Sequence, residues 1–243
     1  MIATGRVTVG GAPAQSAARQ VDGAEAIAIV AGPDDYVSRG GHKLKAALDA
    51  FAIDVTGRRA LDAGASTGGF TDCLLQAGAA AVVAVDVGRG QLAWPLRNDA
   101  RVTVIERTNL RDLHAGAIGA AADVVVVDLS FISLRLVAAN LLELATADAD
   151  FVLLIKPQFE AGRERVGKGG VIRDPAVHRV VLGEVVAALD AAELGVRAVI
   201  ASPLQGADGN VEFLALAARG RSTVTPDLLD RAVASAPTRS GPE

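Results

Sequence analysis

Four charged residues stand at or near the ends of apolar segments, where a side chain can take part in chemistry instead of packing. Asp62 lies near the end of the first such segment, Asp86 follows a run of alanine and valine, Asp128 follows four valines, and Lys156 follows five apolar residues. Ligands of α/β proteins bind outside the carboxyl ends of parallel strands. Each charge alone could simply mark the end of a strand. Brought to one edge of a sheet, however, carboxylates and an amine could orient a ligand and hold or move a proton.

The run Leu-Asp-Ala-Gly-Ala-Ser-Thr-Gly-Gly-Phe over residues 61–70 joins a strand-like segment to a helix-like one. A glycine-rich turn lets the backbone approach a ligand closely, and the first turn of the helix points free N–H groups at it. Asp86 follows about 20 residues later, where such folds hold a ribose. The pattern predicts a turn that binds a nucleoside-like ligand.

The spacing of the glycines indicates which nucleoside. A dinucleotide fingerprint requires a second glycine two positions after the first, but Ser66 stands there after Gly64. An Asp-x-Gly-x-x-x-Gly-Gly-Phe turn suits a ligand that has no pyrophosphate and whose cationic amine a carboxylate can meet, and S-adenosylmethionine is such a ligand. The predicted cofactor contacts are Asp62, Gly64, Ser66, Thr67, Gly68, Gly69, Phe70, Asp86, Asn109 and Asp128.

Two other interpretations of this turn remain open. Residues 64–68 also match the Gly-x-Ser-x-Gly nucleophile elbow of hydrolases, in the same strand–turn–helix context. That interpretation lacks an upstream oxyanion His-Gly-Gly segment, and Ser66 would follow the first predicted core strand. The turn could also be purely structural.

Composition limits the class of protein. The chain of 243 residues is long enough for one sizeable core, and with 51% hydrophobic but only 3% aromatic residues that core must be built from alanine, valine and leucine. Cys73 is the single cysteine, and His42, His114 and His178 show no ligand spacing, so we expect neither disulfides nor a metal site. No apolar run is long enough for a membrane span, and we expect a cytoplasmic protein without a membrane partner.

The net charge of −4 does not by itself predict a nucleic-acid partner, but the basic residues are unevenly distributed. Such clusters are usually solvated faces. Here they gain weight because both lie beside the predicted ligand site. One cluster comprises Arg39, His42, Lys43 and Lys45, and the other comprises Lys156, Arg163, Arg165, Lys168 and Arg173.

From about residue 36 onward the apolar pattern alternates between strands and helices, which predicts an α/β fold whose mostly parallel sheet is covered on both faces. The last two strands have no helix between them and should form an antiparallel hairpin at the sheet edge. The leading residues 1–35 carry two predicted strands, 7–9 and 26–30, and the tail from Ser235 is predicted to be disordered. The predicted helices are 41–52, 68–78, 90–97, 133–146 and 174–193, and the predicted strands are 59–63, 81–86, 102–106, 122–128, 151–156, 196–202 and 211–218.

Five segments in order resemble the TlyA family of ribosomal RNA 2′-O-methyltransferases, which are also labelled haemolysins. The family carries an FtsJ-like (RrmJ-like) methyltransferase domain. The resemblance implies a Rossmann-like class I fold that depends on S-adenosylmethionine and has a seven-stranded, mostly parallel sheet. The implied domains are an RNA-binding remnant and linker over 1–35, a methyltransferase domain over 36–220, and a C-terminal helix with a flexible tail over 221–243. The five segments are 36–44, 61–70, 127–132, 154–160 and 206–213.

The resemblance also implies a catalytic tetrad of Lys43, Asp128, Lys156 and Glu212. Lys156 would take the proton from a ribose 2′-hydroxyl, of a cytidine in 16S or 23S ribosomal RNA, or would only position that hydroxyl and stabilise its alkoxide. Taken singly, Lys43 and Glu212 could equally be surface residues. The implied RNA contacts are Arg39, Lys45, Arg163, Arg165 and Lys168.

The sequence departs from the family at its start. Family members begin with an S4-type RNA-binding domain, of which residues 5–11 resemble only the final portion. A late start codon, a trimmed sequence or true loss would each explain this, and each bears on RNA affinity because phosphate contacts supply much of it. Two alternative functions therefore stay open: an RNA-binding or ribosome-assembly protein that keeps a cofactor pocket, and a haemolysin.

Overall fold

The computed structural model describes residue 2 and residues 7–29 and 36–237. The chain divides into two compact units, residues 1–35 and residues 36–243. The first contains a small antiparallel sheet in the order β2-β1-β3. The edge strand β2 was not predicted, because it is only two residues long and follows a turn at Gly10 and Gly11, both with positive φ. Its strands are β1 (Val7–Val9), β2 (Ala12–Pro13) and β3 (Ile27–Ile29).

Parts of three predictions lie outside the described residues. They concern residues 3–6 of the segment that resembles an RNA-binding domain, the closing residues 30–35 of the leading segment, and residues 238–243 of the tail. The RNA-binding remnant stays a prediction.

The second unit is built on one seven-stranded sheet in the order β6-β5-β4-β7-β8-β10-β9. The first five strands in this order are parallel, whereas β10 is antiparallel to both of its neighbours. The predicted fold class and the antiparallel hairpin are therefore confirmed, with β9 as the edge strand. The strands are β4 (Arg59–Ala63), β5 (Ala81–Val85), β6 (Val102–Ile105), β7 (Ala122–Val127), β8 (Ala145–Ile155), β9 (Leu194–Ala201) and β10 (Phe213–Arg219).

Helices cover both faces of this sheet, as the continuous apolar strands predicted. The four-valine strand β7 shows why: Val124 and Val126 point into one apolar core, and Val125 and Val127 point into the other. Helices α1 and α2 supply the first core, and α5, α7 and α8 supply the second. The helices are α1 (Gly40–Ala50), α2 (Gly69–Gln76), α3 (Trp94–Arg97), α4 (Ala115–Ile118), α5 (Ala138–Glu143), α6 (Pro157–Glu160), α7 (Pro175–Ala191) and α8 (Pro226–Ala234).

The structure corrects the sequence-based elements in two places. The helix predicted over 133–146 is a short 3-10 turn followed by α5, and β8 begins at Ala145, six residues before its predicted start. The polar residues of this segment conceal its strand character, which comes from pairing with β7 at Ala122. The helix predicted over 90–97 is shortened to α3, because Gly90 has φ +70° and Pro95 lies in the first turn. Among the described residues, no helix is long and apolar enough to cross a membrane.

Strands β4 and β7 approach closely where they end, and a glycine permits this. Gly64 has φ +93°, and a Cβ atom there would lie 2.3 Å from the carbonyl oxygen of Asp128. The Asp128 N–H in turn donates to the carbonyl of Ala63 at 3.0 Å. The glycine turn and the residue that ends β7 therefore sit in direct contact.

We expect Gly64→Ala to destabilise the protein more than Gly57→Ala does. Both glycines have left-handed φ, so both variants lose about 1–2 kcal/mol to backbone strain. A Cβ at residue 57 would meet nothing within 4 Å, whereas crowding at residue 64 should cost about 1–3 kcal/mol more. Thermal unfolding of the two variants measures the difference, and equal losses would mean that the close approach is not required.

Candidate active site

A cavity of about 750 Å³ opens at the carboxyl ends of β4, β5, β6 and β7. Its volume lies in the range of small-molecule and cofactor sites, and its position is where α/β sheets bind ligands. Five of the predicted cofactor contacts line it, namely Gly64, Ser66, Asp86, Asn109 and Asp128. A second cavity, of about 550 Å³ beside α7 and α8, is lined by none of the predicted site residues.

Asp86 organises the cavity wall. Its Oδ2 accepts a hydrogen bond from the N–H of Ser66 at 2.8 Å, and its Oδ1 accepts one from the N–H of Gly88 at 2.6 Å. Each carboxylate oxygen has a second lone pair, so the same group can still accept from the hydroxyls of a ligand. Asp86 therefore fixes the glycine turn and presents an acceptor to the cavity.

Ser66 does not have the surroundings of a nucleophile. Its hydroxyl donates to Oε1 of Gln91 at 3.4 Å, and its backbone N–H serves Asp86. A nucleophilic serine needs a base within hydrogen-bond reach, usually a histidine. Two of the histidines pack elsewhere: the ring of His42 lies against Tyr36, and that of His178 lies against Phe213. These contacts favour the ligand-binding interpretation of the turn over the hydrolase elbow.

Asn109 both caps a turn and lines the cavity. Its Oδ1 accepts from the N–H of Arg111 at 3.0 Å and so caps the 3-10 turn Leu110–Asp112, while the residue also lines the cavity. Asn109 thus fixes the loop after β6 at the cavity wall.

The other five predicted cofactor contacts do not line this cavity. A Cβ on Gly68 would lie 2.3 Å from Leu96, and one on Gly69 would lie 2.2 Å from the hydroxyl of Ser38, so both glycines allow close packing within the protein. The carbonyl of Thr67 accepts from Ala93, and the Phe70 ring lies in the apolar core. Direct contact of these residues with a cofactor stays a prediction.

Asp62, the fifth of them, is fully buried below the glycine turn. Its Oδ2 accepts from the hydroxyl of Thr71 at 2.6 Å, whereas its Oδ1 has no hydrogen-bond partner among the described atoms. Burial raises the pKa of this carboxyl from 3.8 to about 7, against the hydrogen bond from Thr71, which lowers it. An orphaned buried oxygen beside a ligand turn fits a ligand that brings a hydrogen-bond donor.

The four predicted tetrad residues form two ion pairs. Lys43 Nζ lies 2.5 Å from Glu212 Oε2, and both side chains are buried. Lys156 Nζ lies 2.6 Å from Asp128 Oδ1 in a more open position. Phe213 of β10 pairs with Ile155 of β8 in antiparallel register, so the adjacent residues Glu212 and Lys156 stand opposite each other just beyond this pair. The register therefore brings the two ion pairs together.

The loop before β10 is shaped around Glu212. Gly206 leaves room for it, since a Cβ there would lie 2.6 Å from Glu212 Oε1. The Ser202 N–H donates to the Glu212 carbonyl at 2.9 Å. Arg39, at the start of α1, donates to the carbonyl of Gln205 at 2.9 Å. Arg39 therefore ties this loop to the helix that carries Lys43.

Lys156 lies next to residues that line the cavity, since its amine pairs with Asp128. Its amine also donates to Ser130 Oγ at 3.0 Å and lies 6.0 Å from the centre of the Phe159 ring. Beside Phe159, at a centroid distance of 5.0 Å, stands Phe131, which is 90% exposed and lines the cavity. Phe131 is not among the predicted site residues. Its sequence offers one sign of a functional role, which is an aromatic side chain, rare in this chain, shortly after the end of a strand.

The remaining predicted RNA contacts differ in their exposure and in the residues they pair with. Arg163 is exposed. Lys45 pairs with Asp49 one helical turn away at 2.6 Å, and Arg165 is held by Glu184 at 2.8 Å and by the carbonyl of Ala161. The side chain of Lys168 is not among those described. An RNA role for these residues stays a prediction, and the contacts of Arg165 within the protein account for its position without one.

Within the described part of the chain, no group of three or more histidine, cysteine, aspartate or glutamate side chains could hold a metal ion.

Comparisons with known proteins identify the family and agree with the fold. The profile of the FtsJ-like methyltransferase family matches residues 36–219. The chain is 51% identical over 250 residues to the 16S/23S rRNA (cytidine-2′-O)-methyltransferase TlyA of Mycobacterium tuberculosis, covering 98% of this chain and 91% of that protein. It is 42% identical over 217 residues to Hemolysin A of Brachyspira hyodysenteriae, covering 88% and 90%. A solved structure of a candidate hemolysin from Streptococcus thermophilus superposes with a TM-score of 0.80 at 37% identity, covering 96% and 86%.

We expect Asp62→Asn to change how stability depends on pH. Between pH 4 and 7 the folded protein keeps a proton on Asp62 that the unfolded chain has released, so the free energy of unfolding falls as pH rises through this window. The variant lacks this titration, and its stability relative to the natural protein should grow by a few kcal/mol from pH 4 to pH 7 and then level off. Thermal unfolding across this range, with the exposed Asp112→Asn as control, measures it. A constant difference across the range would contradict the assignment.

Proposed function

The chain belongs to the FtsJ-like methyltransferase family and to its TlyA group, and we propose that it transfers the methyl group of S-adenosylmethionine to a ribose 2′-hydroxyl of a cytidine in 16S or 23S ribosomal RNA. The observation that carries the proposal is the position of Lys156. Its amine contacts Asp128 and Ser130, and both of these residues line the cofactor-sized cavity.

The donor side consists of residues that fit this cofactor. Asp86 can accept from ribose hydroxyls, Asn109 stands at the wall after β6, and Gly64 lets the turn come close. The buried oxygen of Asp62 lies below the same turn and suits a cationic amine. When bound, the cofactor supplies an electrophilic methyl group on a sulfonium. The protein's task is then to hold and orient the acceptor.

The acceptor side centres on Lys156. An alcohol is a weak nucleophile, and an oxygen that gains negative charge during attack is stabilised by a donor aimed at it. The Asp128 carboxylate at 2.6 Å stabilises the charged ammonium, and Ser130 helps to fix its direction. We therefore assign Lys156, as the charged ammonium, to hydrogen-bond the 2′-oxygen and stabilise its developing negative charge while the hydroxyl proton passes to bulk water. The buried pair of Lys43 and Glu212 supports this arrangement from the neighbouring strand.

Phe131 supplies a surface for the base of the acceptor nucleotide. Single-stranded nucleotides stack on exposed aromatic rings, at about 1–3 kcal/mol per base. The Phe131 ring is exposed, lines the cavity and lies against Phe159, whose ring centre is 6.0 Å from the Lys156 amine. A base stacked there would bring its ribose toward the amine.

We expect Lys156→Ala to lower methyl transfer at least about 100-fold, because it removes the donor to the attacking oxygen. The measurement is transfer of labelled methyl from S-adenosylmethionine to ribosomal RNA, with cofactor affinity followed by calorimetry and expected to change little. Arg221→Ala, which removes an exposed cation just beyond the end of β10 that does not line the cavity, is the control and should stay near full activity. Full activity of Lys156→Ala would refute the assignment.

We expect Phe131→Ala to lower kcat/KM for RNA about 10-fold or more, because stacking of the acceptor base is lost. Trp94→Ala is the matched control, since Trp94 is also an exposed aromatic residue (74%) but does not line the cavity. Equal effects of the two variants would argue against a stacking site at Phe131.

The alternative, an RNA-binding protein without turnover, predicts a different result in cells. Ribose methylation of ribosomal RNA, mapped by mass spectrometry with and without the gene, should lose at least one 2′-O-methyl group if the proposal holds. An unchanged map together with RNA binding by the purified protein would favour the alternative.

A further inference from the structure

The Lys-Pro-Gln-Phe-Glu segment that begins with Lys156 ends with a buried acidic residue, Glu160, to which the mechanism above gives no task. Burial of a carboxylate is costly unless it is paired and hydrogen-bonded. Glu160 meets this requirement through the loop that follows β7. Its Oε2 accepts from the hydroxyl of Ser133 at 2.5 Å, and its Oε1 accepts from the N–H of Leu134 at 2.8 Å.

This loop contains a strained residue. Phe131 has φ +65°, a left-handed conformation that is unfavourable for a bulky side chain and persists only when surrounding contacts enforce it. The loop is anchored before Phe131 by the N–H of Asp128, which donates to Ala63, and after it by the two bonds to Glu160. Between these anchors lie Ser130, which accepts a hydrogen bond from Lys156, and Phe131, and both residues line the cavity.

Charged side chains next to Glu160 form a chain of ion pairs. Arg135 Nε lies 3.6 Å from Glu160 Oε2, and Arg135 also donates to Glu184 at 3.2 Å. Glu184 also forms an ion pair with Arg165 at 2.8 Å. Burial raises the pKa of Glu160, while Ser133, Leu134 and Arg135 oppose that rise. The loop thus supplies the polar partners that Glu160 needs, and Glu160 supplies the loop's second anchor.

We propose that Glu160 is a positioning residue for methyl transfer, which holds the loop 129–134 in the strained conformation that presents the Phe131 ring at the cavity mouth and the Ser130 hydroxyl to Lys156. The inference rests on the proposed function for the roles of Phe131 and Lys156. The anchoring of the loop itself follows from the contacts of Glu160 alone.

The first arm of the test does not require activity. Amide hydrogen exchange is followed in the full chain for the natural protein, Glu160→Ala and Glu164→Ala. We expect faster exchange over residues 129–136 in Glu160→Ala, because the Leu134 N–H loses its acceptor, and no change there in Glu164→Ala, which removes an exposed carboxylate that pairs with Arg165 outside this segment. Glu160→Gln keeps an acceptor for Leu134 and should restore part of the protection. Unchanged exchange in Glu160→Ala would overturn the proposal.

The second arm is a double-mutant cycle with Phe131→Ala, measured as kcat/KM for RNA. We expect Glu160→Ala to lower kcat/KM about 10-fold or more, and the double variant to be little worse than Phe131→Ala alone, because both changes remove the same presented ring. Effects that multiply in full would overturn the proposal, since Glu160 would then act independently of Phe131. A merely structural role would lower the melting temperature without this coupling.

The exchange measurement and the double-mutant cycle also cover two further outcomes. If Glu160→Ala does not fold, Ser133→Ala, which removes one of the two bonds, takes its place in both arms with the same expectations at smaller size. If the natural protein transfers no methyl group to ribosomal RNA, the proposed function fails, and the exchange arm alone decides whether Glu160 anchors the loop.

Discussion

The pairing of a buried lysine with a buried glutamate is the constraint on which the arrangement of the site depends. Lys43 and Glu212 are both removed from water, and either one without the other would leave an uncompensated charge in the interior. The pair therefore fixes α1 against the start of β10, although Lys43 and Glu212 are 169 residues apart in the sequence. Register in the sheet then sets Lys156 beside Glu212, and Lys156 in turn pairs with Asp128, which lines the cavity.

The strand-end residues and the glycine turn were the parts of the site that sequence could predict. Gly64 and Asp86 are placed by short-range patterns, a turn after a strand and a carboxylate after the next strand, and both line the cavity. The four-valine strand predicted a sheet covered on both faces for an equally local reason. The tetrad came from a resemblance, because no spacing rule links Lys43 to Glu212 across the chain.

The features that sequence could not supply depend on tertiary contacts. The exposed ring of Phe131 results from a left-handed backbone conformation, which is unfavourable for phenylalanine without enforcing contacts. The early start of β8 at Ala145 results from pairing with β7, which overrides a polar, helix-like composition. The full burial of Asp62, with one oxygen unpartnered, is likewise not apparent from the turn motif that contains it. In each case neighbours distant in sequence decide the outcome.

The position of β10 in the sheet has a consequence for synthesis of the protein. This strand is inserted between β8 and β9, so the sheet is incomplete until residue 219 has left the ribosome. Because Glu212 directly precedes β10, the buried Lys43 has no partner while the first two hundred residues emerge. The long-range pairing that completes the site is also the slow kind to form. The site of a nascent chain therefore stays incomplete until both Glu212 and β10 have emerged.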